Sequence, residues 1–301
     1  MAQIIKRSKK FHKNSLPKSW LSSNSSLGEN VIPVDRALCY IPSGTAPLVS
    51  TVVMTVVPAK IAGVKEVIVT SPAINNIVSD EIIVAAKLAG ADRIFLLGGA
   101  HSIFAFTYGT ESVPRADLIC GPGNKYVTEA KRQVFGKVGI DGLYGPTETL
   151  VIADKSNDIE LCASDLIAQA EHDIEATPIL ITNSLDFSKK VEKEIYKQAE
   201  SLPRKDIILK SFKLNGLLFV VKNMNDSIEL ANLISSEHVS ILSEEIINKY
   251  KNIVNAGGIF LGDDSGEVFG DYIAGPSHVM PTGGSARFNS ALNVRHFLKF
   301  Q

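Results

Sequence analysis

The chain has 301 residues, 45% of them hydrophobic and 21% charged, with a formal net charge of −1. That length suits two domains of ordinary size, and the charge balance gives no electrostatic case for nucleic acid or an anionic membrane as a partner. No apolar run is long and unbroken enough to span a bilayer: the most apolar stretch, Leu48 to Val57, runs into Pro58 and Lys60. The basic start, MAQIIKRSKKFHKN, lacks a hydrophobic core followed by a small-residue cleavage site and does not read as a secretory signal. Cys39, Cys120 and Cys162 show no CxxC pairing, which fits reduced thiols and a cytoplasmic location.

Residues 1–37 read as a weakly ordered lead-in, basic between Lys6 and Lys13 and rich in Ser and Asn over 22–30. From Leu38 the pattern becomes regular. Leu38–Ile41 is a short strand, Pro42–Thr45 turn chemistry, and Ser50–Ala62 a helix closed by Gly63. Strands at Glu66–Thr70, Arg93–Leu97 and Asp117–Cys120 alternate with helices at Asp80–Leu88 and from Gly121-Pro122-Gly123-Asn124 to about Val138. A turn region at Gly142–Pro146 separates a second set. Its strands fall at Thr149–Ala153, Pro178–Thr182, Leu217–Val221, His238–Leu242 and Gly258–Leu261. Its helices fall at Ile159–Ala170, Phe187–Ala199, Ser227–Ile234 and Glu244–Val254. Near-continuous apolar strands alternating with helices predict an α/β fold of two incomplete Rossmann-like domains with parallel sheets, at 38–146 and 147–292, and a closing segment at 293–301.

Five stretches carry candidate chemistry. In Gln169-Ala170-Glu171-His172-Asp173, Gln169 and His172 are three residues apart, so on a helix their Cβ atoms are about 5–6 Å apart and both side chains can reach one metal ion. Taken alone, the pair reads more readily as decoration of a solvated helix end; Glu237-His238, Asp271 and His278 elsewhere in the chain raise the metal reading. Gly98-Gly99 and Gly121-Pro122-Gly123-Asn124 precede helices, where backbone N–H groups can hold a phosphate, although neither is a full dinucleotide fingerprint. Glu237-His238 falls where a helix gives way to a strand; a carboxylate and an imidazole beside one substrate suit sequential proton transfers. The Gly- and Pro-rich stretch 270–284 is a shaped loop, neither helix nor strand, that offers Asp271 as a hard ligand and His278 as a substrate contact, with zinc the metal that accepts such an N/O set.

Six stretches resemble the histidinol dehydrogenase family and run in its order: YIPSGTAPLVSTVVM (40–54), GPGNKYVTEAKRQV (121–134), GPTETLVIAD (145–154), AQAEHD (168–173), SSEHVSIL (235–242) and GDYIAGPSHVMPTGGSARF (270–288). The resemblance implies a zinc- and NAD-dependent enzyme that oxidises L-histidinol to L-histidine through a bound aldehyde. By position, Gln169, His172 and Asp271 match zinc ligands that also meet the substrate, and Thr147 and His278 match substrate contacts. His238 matches the base that takes the alcohol proton and also touches substrate; Glu237 matches the residue that activates water for the second step. Tyr40, His101 and Asn124 match NAD contacts.

The chain also departs from the family pattern. His101 stands for the family's glutamine and Thr147 for its serine, and the chain stops at Gln301, short of the tail that supplies a further zinc-ligating histidine and a substrate-binding glutamate to a partner subunit. His296 does not match the motif of that ligand and is not assigned to it. These departures imply an amino-alcohol substrate handled with low or absent activity, a monomer or weakened homodimer, and a ligand position open to water or Glu267. They leave two alternatives open: a relative that oxidises another polar alcohol such as a sulfonated diol, or a degenerate non-catalytic homologue.

Overall fold

In the computed structural model, which describes residues 1–42, 47–73 and 77–301, the chain divides into two units: residues 1–144, 270–279 and 291–301, and residues 145–269 and 280–290. Of the turn expected at Pro42–Thr45, residues 43–45 lie outside the described residues.

The first unit opens with α1 (Ala2–Asn14), a short ribbon of β1 (Trp20–Leu21) and β2 (Gly28–Glu29), and β3 (Val31–Pro33), which pairs antiparallel with the final strand at Leu298–Phe300. A βα series follows: β4 (Arg36–Tyr40), α2 (Val49–Ala62), β5 (Glu66–Thr70), α3 (Asp80–Ala89), β6 (Arg93–Phe95), α4 (Gly99–Tyr108), β7 (Leu118–Cys120), α5 (Lys125–Val134) and β8 (Gly139–Ile140). The five strands form a parallel sheet in the order β6-β5-β4-β7-β8. Successive β4 side chains alternate between two cores, as the pleat requires. Ala37, Cys39 and Ile41 pack with α2 and α3, while Leu38 and Tyr40 pack with Ile103, Phe106 and Val127 of α4 and α5. Both faces are covered, which is why these strands read as continuous apolar runs.

The second unit repeats the plan: β9 (Glu148–Ile152), α6 (Ile159–Ala170), β10 (Thr177–Thr182), α7 (Leu185–Ala199), α8 (Lys205–Asn215), β11 (Leu217–Val220), α9 (Met224–Ile234), β12 (His238–Ile241), α10 (Glu244–Ile247) and β13 (Gly258–Leu261). Its parallel sheet has the order β11-β10-β9-β12-β13. In each sheet the strand order reverses beside the first strand, at β4/β7 and at β9/β12, the position where doubly wound sheets open a crevice. The expected fold class of two Rossmann-like domains with parallel sheets is the one observed. Among the described residues no helix is long and apolar enough to cross a membrane.

Three local expectations differ from what forms. Residues 2–14, expected to be weakly ordered, make α1, because Ile4, Ile5, Ser8 and His12 share one buried face that the intervening basic residues hide in the sequence. The helix expected over Glu244–Val254 stops at Ile247, and a 3₁₀ turn covers Tyr250–Asn252. The Asn232 side chain holds the chain there: it accepts from the N–H groups of Val254 and Asn255 and donates to the Asn252 carbonyl, so those groups are not available to a helix. Residues 270–279, read as part of the second domain, pack in the first unit. Arg7 donates to the Ile273 carbonyl at 2.9 Å, the Ser277 hydroxyl donates to the Met54 carbonyl at 3.3 Å, and Gly275 holds φ +111° where a Cβ would lie 2.9 Å from the Arg7 backbone.

His12 is buried on α1 with neither ring nitrogen hydrogen-bonded among the described residues, and burial lowers its pKa from 6.5 to about 4. The unfolded chain therefore takes up this proton first as pH falls, so the contribution is complete above pH 6.5 and is lost as pH drops toward 4. The difference between the unfolded and folded values corresponds to about 3 kcal/mol. Denaturant midpoints measured from pH 8 to 4 should fall less steeply in His12→Leu than in the wild type; identical slopes would remove His12 as the cause.

Candidate active site

At the carboxyl ends of the first sheet, two glycine turns are fastened beside the β4/β7 switch. The Tyr40 phenol, at the end of β4, accepts from the Gly99 N–H at 3.1 Å, and burial raises its pKa. Gly121, just past β7, holds φ +106°, and a Cβ there would lie 2.2 Å from the Tyr40 carbonyl oxygen; only glycine fits this approach. Buried Asp141 accepts from the Gly121 N–H at 2.8 Å and pairs at 2.5 Å with buried Lys131, which in turn donates to the Gly121 carbonyl at 3.1 Å. Asn124 caps α5, its Oδ1 accepting from the N–H groups of Tyr126 and Val127, and His101 is exposed on the first turn of α4. Tyr40, His101 and Asn124 thus share the carboxyl rim of one sheet.

Asp271 and His278 also belong to the first unit. Asp271 sits in a single π-helical turn, Gly270–Ala274, where loop backbone was expected; such turns are frequent at functional sites. His278 is half-buried between buried Ser277 and Val279.

The second unit assembles its polar groups at the amino ends of β9 and β12, the rim opposite the one at which doubly wound sheets bind ligands. Glu237 immediately precedes β12 and is buried. Its Oε2 faces the Thr147 hydroxyl at 2.7 Å and accepts from the Glu148 N–H at 3.1 Å. The same Thr147 hydroxyl lies 3.0 Å from Gln169 Oε1. A hydroxyl has one proton and here meets two oxygens, so the second contact is satisfied when the Glu237 carboxyl is itself protonated. Burial does push the Glu237 pKa up to about 7, with His238 and the Thr147 hydrogen bond pulling the other way.

His238 opens β12, buried, with its Nδ1 3.1 Å from the Glu148 carbonyl oxygen and 3.6 Å from Glu237 Oε2, and its ring stacked on Phe260 at 5.8 Å. A carbonyl only accepts, so Nδ1 carries a proton toward it. Gln169 is buried near the end of α6, which stops at Ala170; His172 follows in a turn, its N–H donating to the Gln169 carbonyl, with its side chain exposed. The unit therefore brings Thr147, Gln169, Glu237 and His238 together, with His172 one turn further on.

Three carboxylates of this unit carry no role in the sequence reading or enter it only as a stand-in ligand. Glu148 exchanges hydrogen bonds with Glu237. Glu267 is buried, accepts from the hydroxyls of Thr149 and Ser240, and leaves Oε2 without a hydrogen-bond partner among the described residues; burial raises its pKa, with His238 and the hydrogen bonds to its carboxylate pulling the other way. Asp165 is raised to about 7 by burial and by its neighbours Glu267 and Asp263. Asp165 stands four residues before Gln169 on α6, one helical face, a spacing that could have flagged it. Among the described residues no group of three His, Cys, Asp or Glu side chains is arranged to hold a metal ion. The arrangement offers an imidazole base and a carboxyl group that titrates near neutrality, side by side in buried positions.

Residues 1–301 match the family model described as histidinol dehydrogenase. The chain is 50% identical over 273 residues to a histidinol dehydrogenase of Thermus thermophilus, covering 91% of this chain and 65% of that protein. It is 46% identical over 292 residues to one of Dehalococcoides mccartyi, covering 96% of this chain and 67% of the relative. A crystal structure of histidinol dehydrogenase from Elizabethkingia anophelis superimposes with a TM-score of 0.94 at 34% identity, over 99% of this chain and 70% of that one. The chain thus spans about two thirds of the length of these relatives.

Proposed function

Because the chain belongs to the histidinol dehydrogenase family, we propose that it oxidises L-histidinol to L-histidine through histidinaldehyde, with zinc and NAD. The observation that carries this reading is the pairing of Glu237 and His238 on the backbone of Glu148, with the carboxyl poised near pH 7. The donor types suit zinc: an amide oxygen from Gln169 and an imidazole from His172 within one turn, with a carboxylate from Asp271. The turn at Gly121 leads at the carboxyl rim of the first sheet into the start of α5, whose N–H groups suit a dinucleotide phosphate. Bound NAD would supply the two-electron acceptor for each oxidation, and zinc held by Gln169, His172 and Asp271 would supply a template for the substrate.

In the first step alcohol plus NAD⁺ gives aldehyde, NADH and a proton, and His238 Nε2 takes that proton from the hydroxyl. In the second, aldehyde, water and NAD⁺ give carboxylate, NADH and two protons, and Glu237 takes a proton from the adding water. Thr147 and His278 contact the substrate; Tyr40, His101 and Asn124 contact NAD. From the family resemblance alone, the proposal extends to a cytoplasmic protein, monomeric or weakly homodimeric, with no nucleic-acid or membrane partner.

The test is NADH formation from L-histidinol with and without added zinc. NADH from a sulfonated diol and none from L-histidinol would transfer the same chemistry to another substrate. The purified chain should also hold about one zinc per subunit, and His172→Ala should lose it. Elemental analysis after dialysis that finds equal zinc in both would contradict the assignment of His172.

A further inference from the structure

Glu148, at the head of β9, spends each of its polar groups on the neighbourhood of Glu237 and His238. Its N–H donates to Glu237 Oε2 at 3.1 Å, and its carbonyl faces His238 Nδ1 at 3.1 Å. Its own carboxylate accepts from the Glu237 N–H at 3.3 Å through Oε2 and from the Gly283 N–H at 2.9 Å through Oε1. Glu148 and Glu237 therefore exchange bonds reciprocally, each carboxylate capping the other's backbone. The Gly283 bond ties in the turn 282–284, which is also held by the Gly145 N–H donating to Thr282 Oγ1 at 2.6 Å, with Gly283 and Gly284 at φ +61° and +73°.

We propose that Glu148 is a positioning residue for the Glu237–His238 pair, its side chain fixing the Glu237 backbone and fastening the 282–284 turn beside it. The inference rests on the functional reading above. The strand is held by other means as well: β9 is bonded along both edges, to β10 and β12, and Thr149 to Ile152 are fully buried. What the carboxylate supplies is two acceptors aimed at two N–H donors. A carboxamide has one acceptor and turns an NH₂ against one of those donors. Glu148→Gln thus breaks one bond of the two at nearly constant shape, while Glu148→Asp keeps both acceptors on a shorter stem.

The experiment compares wild type, Glu148→Gln and Glu148→Asp in three measurements: kcat and KM with L-histidinol and with histidinaldehyde, thermal unfolding, and amide hydrogen exchange at Glu237 and Gly283. Glu148→Gln should lose about 10- to 100-fold in kcat, the scale of one hydrogen bond to a charged group. Its KM should stay within about threefold, its melting temperature should be nearly unchanged, and exchange at one or both amides should quicken; Glu148→Asp should recover part of the kcat. Wild-type kcat in Glu148→Gln overturns the proposal. So does a kcat loss that merely follows a fall in melting temperature, with no recovery in Glu148→Asp. A wild-type chain that does not turn over L-histidinol overturns the functional reading instead; the exchange rates then decide, since unchanged protection of both amides in Glu148→Gln overturns the role of Glu148.

Discussion

Replacing His238 by asparagine is expected to slow the oxidation of alcohol to aldehyde by about 10²–10⁴-fold, the usual range for a general base. The imidazole Nδ1–H is committed to the Glu148 carbonyl, so the basic nitrogen is Nε2. Asparagine can keep a donor toward that carbonyl but offers no group that takes a proton near neutral pH. The ring also rests on Phe260, which fixes its plane, and the buried position of His238 keeps competing water away. Pre-steady-state NADH formation from L-histidinol reads this step directly. A burst at the wild-type rate in His238→Asn would remove His238 from proton abstraction.

Glu237→Gln should leave that first step nearly intact and slow aldehyde to acid by a similar factor of about 10²–10⁴. Only the second oxidation needs a water molecule activated for addition, and glutamine keeps the shape while losing the base. The pH profile sharpens the expectation. Burial raises the Glu237 pKa to about 7, and the ionised form is the one that accepts a proton, so the aldehyde step should accelerate as pH rises through about 7 and fade below it. Glu237→Gln should lack that limb. Equal loss in both steps when histidinaldehyde is supplied directly would contradict the division of labour between the two residues.

The two sheets were legible because parallel strands covered on both faces leave continuous apolar runs, such as Glu66-Val67-Ile68-Val69-Thr70, and because Gly63 and Gly90 end helices in left-handed conformations that glycine announces. The helix α8 was not legible: only Ile208 and Ser211 are buried on it, too narrow a stripe among its lysines. α1 was hidden in the same way. The rim on which Glu237 stands could be read from the helix-to-strand change at Ser235–His238. Its partners could not, because Thr147, Gln169 and Glu148 reach it through strand register and through α6, which no local pattern reports. Glu148 lies inside GPTETLVIAD with no local signal, because its two backbone N–H donors are far away in sequence, at Glu237 and Gly283. Glu267 shows the same limit: four residues before Asp271, it meets Thr149 and Ser240 only in the folded sheet.

The stoichiometry of a complete reaction tests the central proposal most directly. With zinc and excess NAD⁺, L-histidinol consumed, NADH formed and L-histidine released are measured together in one sample of wild-type chain. Two NADH and one L-histidine per L-histidinol is the result expected under the proposal that His238 and Glu237 serve successive oxidations at one site. One NADH per L-histidinol with aldehyde accumulating, or no NADH at all, would contradict it.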